Sequence, residues 1–260
     1  MLTVQKPYGK TDAVDSRESR STSGGECSVN GIGVRAFASV ENAVSEIIGQ
    51  DKTVKPGFAV AINPEKIIRA RRDRDIRSVL ESGTLCYPDG IGVVLTMRKK
   101  GIPTRRIPGI DLWEALMKRA AVAELPVFLL GARASVIEKV VTRLKEELGT
   151  PLAGYHSGYF DDDARMIETI ATAGPAIVAV GMGSPRQEQF ILQCRKRWPK
   201  AFYMGVGGSF DVYAGAVLRA PMLFRKAGAE WMYRLLRQPL RIRRQRALLI
   251  YAALHLSGRL

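Results

Sequence analysis

A carboxylate, two side-chain amides and a set of glycine turns stand where this chain could do chemistry. Asp89 closes the apolar run at residues 84–89 (TLCYPD) and is followed by Gly90. Pro-Asp-Gly is ordinary turn chemistry, and it equally places a carboxylate at a cleft mouth, able to take a proton as general base. Asn63 closes the preceding run and stands before Pro64, a position that suits a helix cap or an amide for sugar hydroxyls. Gln187 and Glu188 open a helix beside the GMGSP turn at 181–185. A Glu there complements the helix dipole in any protein, so only Gln187 is read as a ligand residue. Three apolar runs end in glycine: at Gly131, at Gly181 with Gly183, and at Gly205 with Gly207 and Gly208. Glycine lets backbone N–H groups approach a phosphate, and each of these also makes a plain tight turn; together they favour a nucleotide or phosphorylated ligand. Neither GMGSPR nor GVGGSF completes the dinucleotide fingerprint, because Arg186 and Phe210 hold its third position. No Walker motif is present. Arg105 and Arg106, before Pro108-Gly109, are loop cations suited to a diphosphate or to solvent.

The elements that must position these residues follow one grammar from residue 57 onward. Apolar runs at 57–63, 84–89, 126–132, 152–158, 176–183 and 201–208 alternate with helical stretches that include 64–81, 135–148 and 186–198. In 135–148, Val136, Val140, Val141 and Leu144 form a stripe with Glu138, Lys139, Lys145 and Glu146 opposite. Strands that are apolar throughout, alternating with helices, predict an α/β fold: a Rossmann-like, mostly parallel sheet with helices on both faces. Ligands of such sheets collect at the carboxyl ends of the strands, where the candidate residues stand. Residues 1–30, rich in Ser, Gly, Thr and charge without period, read as a disordered leader. The α/β core is assigned to 31–218. Residues 219–260 form a basic, amphipathic helical appendage, with helices at 227–238 and 240–256 separated by Pro239.

The chain carries 40 Lys+Arg against 25 Asp+Glu, a net charge of +15. Residues 219–260 hold ten basic side chains and a single acid, Glu230. That concentration points to an anionic partner. Arginines opposite Trp231, Leu235, Leu236, Leu248, Leu249 and Tyr251 suit an anionic membrane surface. A nucleic-acid partner is the rival reading, but aromatics are not interleaved with the arginines as a stacking platform needs. Three dispersed cysteines and two histidines argue against a disulfide framework, a Cys-based zinc site or a multi-His metal centre. Asp73-Arg74-Asp75 and Asp161-Asp162-Asp163 imitate a D-x-D metal motif; the first is expected to be exposed and the second to start a helix. No catalytic metal and no cofactor are expected. Neither a secretory signal nor a spanning helix is expected from the apolar runs.

The series Asn63-Pro64-Glu65-Lys66, Tyr87-Pro88-Asp89-Gly90-Ile91-Gly92, Pro108-Gly109-Ile110-Asp111-Leu112-Trp113, Gly158-Tyr159-Phe160, the stretch from Gly181 through Glu188 and Gly205-Val206-Gly207-Gly208 resembles the WecG/TagA/CpsF glycosyltransferases. So does Glu230-Trp231-Met232-Tyr233-Arg234-Leu235-Leu236 with the Gln238-Pro239 and arginine run after it, closest to the WecG branch. The resemblance implies inverting, metal-independent transfer from a UDP-sugar donor to a lipid-linked acceptor, undecaprenyl-diphosphate N-acetylglucosamine, by a cytoplasmic enzyme peripheral on the inner face of the cell membrane. The sugar it implies is N-acetylmannosaminuronic acid or N-acetylmannosamine, with other hexoses in capsule and exopolysaccharide members. Asp89 would be the base, and Asn63, Arg106 and Gln187 would line the pocket. Arg234, Arg241 and Arg244 would close over it and stabilise the leaving diphosphate. TagA-like members have Thr two residues before the Asn, where this chain has Ala61. Deleting 228–260 is expected to abolish transfer and leave the core folded.

Overall fold

The computed structural model describes residues 25–226, 228, 230–237 and 242–260. It opens with an antiparallel hairpin, β1 (Glu26–Val29) and β2 (Ile32–Arg35). Asn30 and Gly31 join the strands with φ of 54° and 80°, the positive-φ pair that an Asn-Gly two-residue hairpin requires. This corrects the leader boundary at residue 30. Cys27 and Val29 point into the core at alternate positions, a pattern too short to stand out against the polar composition before it.

Helix α1 (Val40–Ile47) leads into β3 (Gly57–Ile62). The expected helix 64–81 is two helices, α2 (Pro64–Ala70) and α3 (Arg74–Glu81). Asp73 ends the first path by capping the second: its carboxylate accepts from the backbone N–H groups of Asp75 and Ile76. Strand β4 (Leu85–Pro88) is followed by α4 (Ile91–Lys99) and α5 (Gly109–Val122). Then come β5 (Val127–Gly131), α6 (Ala134–Arg143, extended by a wider turn to Leu148), β6 (Leu152–His156) and α7 (Asp163–Ala173), which Asp162 caps. The core closes with β7 (Ile177–Gly181), α8 (Arg186–Arg197), β8 (Phe202–Gly205) and α9 (Ser209–Tyr213). Helices α10 (Met222–Lys226), α11 (Glu230–Arg237) and α12 (Ile242–Leu256) follow.

Strands β3 to β8 form one parallel sheet in the order β4-β3-β8-β7-β5-β6. Side chains alternate across it. Phe58, Val60, Ile62, Val178, Val180 and Tyr203 pack with α2, α3, α4, α7, α8 and Tyr251 of α12. Ala59, Leu85, Tyr87, Ile177, Ala179 and Met204 pack with α1, α5 and α6. The α/β fold with helices on both faces is therefore present as expected. The second half of α12 is built into the core: Tyr251 is buried, and Ala247, Ile250 and Leu254 pack beside it. Among the described residues no helix is long and apolar enough to cross a membrane.

Candidate active site

A cavity of about 530 Å³ lies at the carboxyl ends of β3, β4, β7 and β8. Asn63 follows β3, Asp89 follows β4, Ser184 and Gln187 follow β7, and the stretch from Gly205 to Ser209 ends β8; all line the cavity. Ala61 lines it too. Asn63 performs the structural half of its expected repertoire: its Oδ1 accepts from the Lys66 backbone N–H at 3.0 Å and caps α2.

Asp89 sits at the mouth with its side chain 27% exposed. One carboxylate oxygen accepts from the Gly109 N–H at 3.4 Å and lies 3.6 Å from Arg106 Nη2. Arg106 also donates from Nε to the Asp89 carbonyl at 2.5 Å and from Nη2 to Glu230 at 2.9 Å. Burial works against the charge on Arg106, and the Asp89 and Glu230 carboxylates more than offset it, holding its pKa above the ordinary value. The arginine that the sequence suggested for a diphosphate thus has two carboxylates to satisfy. It orients Asp89 and fastens α11 to the core. Glu230 is buried at 4% exposure; in the sequence it is the lone acid of a basic tail and opens the Glu-Trp-Met-Tyr-Arg stretch that carries the resemblance.

Gln187 is also more constrained than expected. Its Oε1 accepts from the backbone N–H groups of Gly183 (3.1 Å) and Gly207 (3.0 Å), joining the turns after β7 and β8. Only an oxygen can accept two N–H bonds, which fixes the amide's orientation. Gly207 has φ of 52°, a conformation glycine adopts without strain; it and Gly208 line the cavity. Gly131 and Gly181 do not line it. A Cβ on Gly131 would lie 2.5 Å from the Gly181 carbonyl oxygen, and one on Gly181 would lie 2.7 Å from Phe210. These two glycines let β5, β7 and α9 approach one another.

Three helices of eight or more residues start on the cavity rim with no side-chain cap from the N-cap residue, α4 at Gly90, α5 at Pro108 and α8 at Pro185, and the short α9 starts there likewise at Gly208. Residues of each first turn, including Ile91, Gly109 and Gln187, line the cavity. Elsewhere α1, α3 and α7 are capped by Ser39, Asp73 and Asp162 and α6 is not, while α2, which also starts on the cavity, is capped by Asn63. Uncapped N-termini carry partial positive charge and present N–H groups to anions. The cavity is thus prepared for negative charge beside a carboxylate.

The outer wall is apolar and comes from the appendage: Trp231, Leu248, Tyr251 and Ala252 face Ile91 and Leu95. Thr96 anchors it, with its Oγ1 2.9 Å from both the Tyr251 hydroxyl and His255 Nδ1. His255 itself lines the cavity. Of the three tail arginines, Arg241 lies outside the described residues, and Arg234 and Arg244 are placed by backbone alone on α11 and α12. Tyr87 also borders the cavity with a buried hydroxyl. Burial first, and then the negative charges of Asp89 and Glu188, push its pKa well up and keep it protonated. A family model described as Glycosyl transferase WecG/TagA/CpsF family matches residues 27–260.

Proposed function

The chain belongs to the WecG/TagA/CpsF glycosyltransferase family, and from that premise we propose that it moves a sugar from a UDP-sugar to a lipid-linked acceptor by single displacement. The observation that carries this reading is the convergence of the N-termini of α4, α5 and α8 on one cavity beside Asp89, whose carboxylate takes the first N–H of α5. Asp89 takes the proton from the acceptor hydroxyl as that oxygen attacks the anomeric carbon. The carbon–oxygen bond to the diphosphate breaks on the opposite face, and UDP leaves with the bonding pair. Inversion follows from the single attack. Charge developing on the diphosphate needs fixed positive partners; the helix N-termini supply part, and Arg234, Arg241 and Arg244 are assigned the rest. Arg106 holds the base in place, and no metal ion is assigned a part.

For the donor, the WecG-type resemblance favours N-acetylmannosaminuronic acid, with N-acetylmannosamine next and other hexoses after it. The acceptor is undecaprenyl-diphosphate N-acetylglucosamine, in cell-surface polysaccharide synthesis. Two proposed regions carry the work: the α/β core to 218, which takes in the hairpin from Glu26, and the appendage at 219–260. Leu218, Met222, Leu223 and Leu249 are exposed around a strongly basic segment, which supports docking of the appendage on the anionic inner face of the cell membrane. A calorimetric titration with UDP tests the donor half of the reading. Saturable one-to-one binding is expected, weakened by diphosphate as competitor; no UDP binding contradicts it.

A further inference from the structure

At the cavity wall, which Lys66 helps to line, lies a charged pair that the mechanism does not use. Lys66 Nζ is 2.9 Å from Glu188 Oε1, with side chains 12% and 3% exposed. The same Glu188 oxygen accepts from Gln187 Nε2 at 3.1 Å. Burial raises the Glu188 carboxyl, but the Lys66 charge together with the hydrogen bonds from Lys66, Gln187 and the backbone outweighs it and holds the pKa below the ordinary range, so the carboxylate stays ionised. Its other oxygen, Oε2, is buried with no hydrogen-bond partner among the described residues. A half-satisfied buried ion pair is weak evidence for stability, since an apolar pair of like volume serves a core as well or better. Its geometry points to another use.

We propose that Lys66 and Glu188 are positioning residues: a buried staple that, through Gln187, fixes the glycine turns after β7 and β8 in the shape that receives the donor nucleotide. The inference rests on the reading of this cavity as a UDP-sugar site. Glu188 holds the amide nitrogen of Gln187, which turns the amide oxygen onto the N–H groups of Gly183 and Gly207. Lys66 ties that arrangement to α2, whose cap, Asn63, stands in the same cavity. The carboxyl ends of β3, β7 and β8 are thereby held together by one chain of contacts. The backbone leaves room for it: a Cβ on Gly205 would lie 2.5 Å from Gln187 Nε2. Gln187 keeps a second Nε2 hydrogen, and holding the amide fast keeps that donor aimed consistently for a ligand oxygen.

The test compares the intact protein with Lys66→Met/Glu188→Met, read by UDP calorimetry, by amide hydrogen exchange at Gly183 and Gly207, and by thermal melting. The expected result is at least tenfold weaker UDP binding and at least tenfold faster exchange at those two amides, with the melting temperature nearly unchanged. Glu188→Gln, which retains an acceptor oxygen for Gln187, should recover most of both losses. If the double variant does not fold, Gly205→Ala displaces the Gln187 amide with the ion pair intact and should show the same two losses. Unchanged UDP affinity and unchanged exchange in a folded variant overturn the proposal. If the unaltered protein binds no UDP, the nucleotide reading falls, and the exchange rates alone decide whether the staple exists.

Discussion

Asp89→Asn is expected to lower turnover by about a hundredfold or more, within the range usual for loss of a general base, while UDP affinity stays within about threefold of the original. The amide is nearly isosteric and its oxygen can still accept the Gly109 N–H that Asp89 accepts at 3.4 Å. It cannot take a proton from the acceptor hydroxyl. The bond from Arg106 Nε to the Asp89 carbonyl is a backbone contact, so the loop keeps its path. Steady-state rates with calorimetric UDP affinity separate the two effects. A variant with full turnover removes Asp89 from the mechanism.

Removing residues 228–260 is expected to abolish transfer, a loss of about 10³ or more if the tail supplies several diphosphate contacts, each of the size usual for one oxyanion donor. The structure adds a consequence that the basic composition of the tail does not suggest. Tyr251 is buried in the sheet-side core, and its hydroxyl meets Thr96 on α4. Losing a buried aromatic of that kind costs about 3–5 kcal/mol, and truncation also leaves Arg106 without Glu230. The truncated chain should therefore melt well below the full chain instead of retaining an undisturbed core. Tyr251→Ala, with every tail arginine present, should lower the melting temperature and retain measurable transfer. A truncated chain that transfers at the original rate contradicts the assigned role of the appendage.

Five of the parallel strands were legible because a strand covered on both faces must be apolar throughout; the edge strand β6, half-buried or exposed along its length, was legible from its place in the strand–helix alternation and the Gly that follows it. All six runs became strands. The hairpin was concealed because only Cys27 and Val29 mark β1, although Asn30-Gly31 is a strong turn signal in its own right. The break at Asp73 was hidden because a capping Asp among arginines looks like one more exposed charge. At the site, residues at strand ends were found because topology sends Asn63, Asp89, Gln187, Gly207 and Gly208 to one place. Gly131 and Gly181 share the same local pattern, and only three-dimensional spacing reveals that they accommodate neighbouring backbone and Phe210. Lys66, Glu188 and Glu230 escaped for a related reason. Their partners are distant in sequence, and a charge looks solvated until its counter-ion is known.

The central claim is sugar transfer from a UDP donor, and mass spectrometry of products tests it most directly. The purified protein would be incubated with undecaprenyl-diphosphate N-acetylglucosamine, or a short-chain analogue, in detergent or anionic vesicles and with a panel of UDP-sugars. The account predicts that the acceptor gains the mass of one sugar residue with release of one UDP, and that Asp89→Asn suppresses the gain. N-acetylmannosaminuronic acid is the predicted addition, whereas a gain of another hexose would keep the mechanism and change the pathway. No gain from any donor, together with no binding of UDP, would contradict the account.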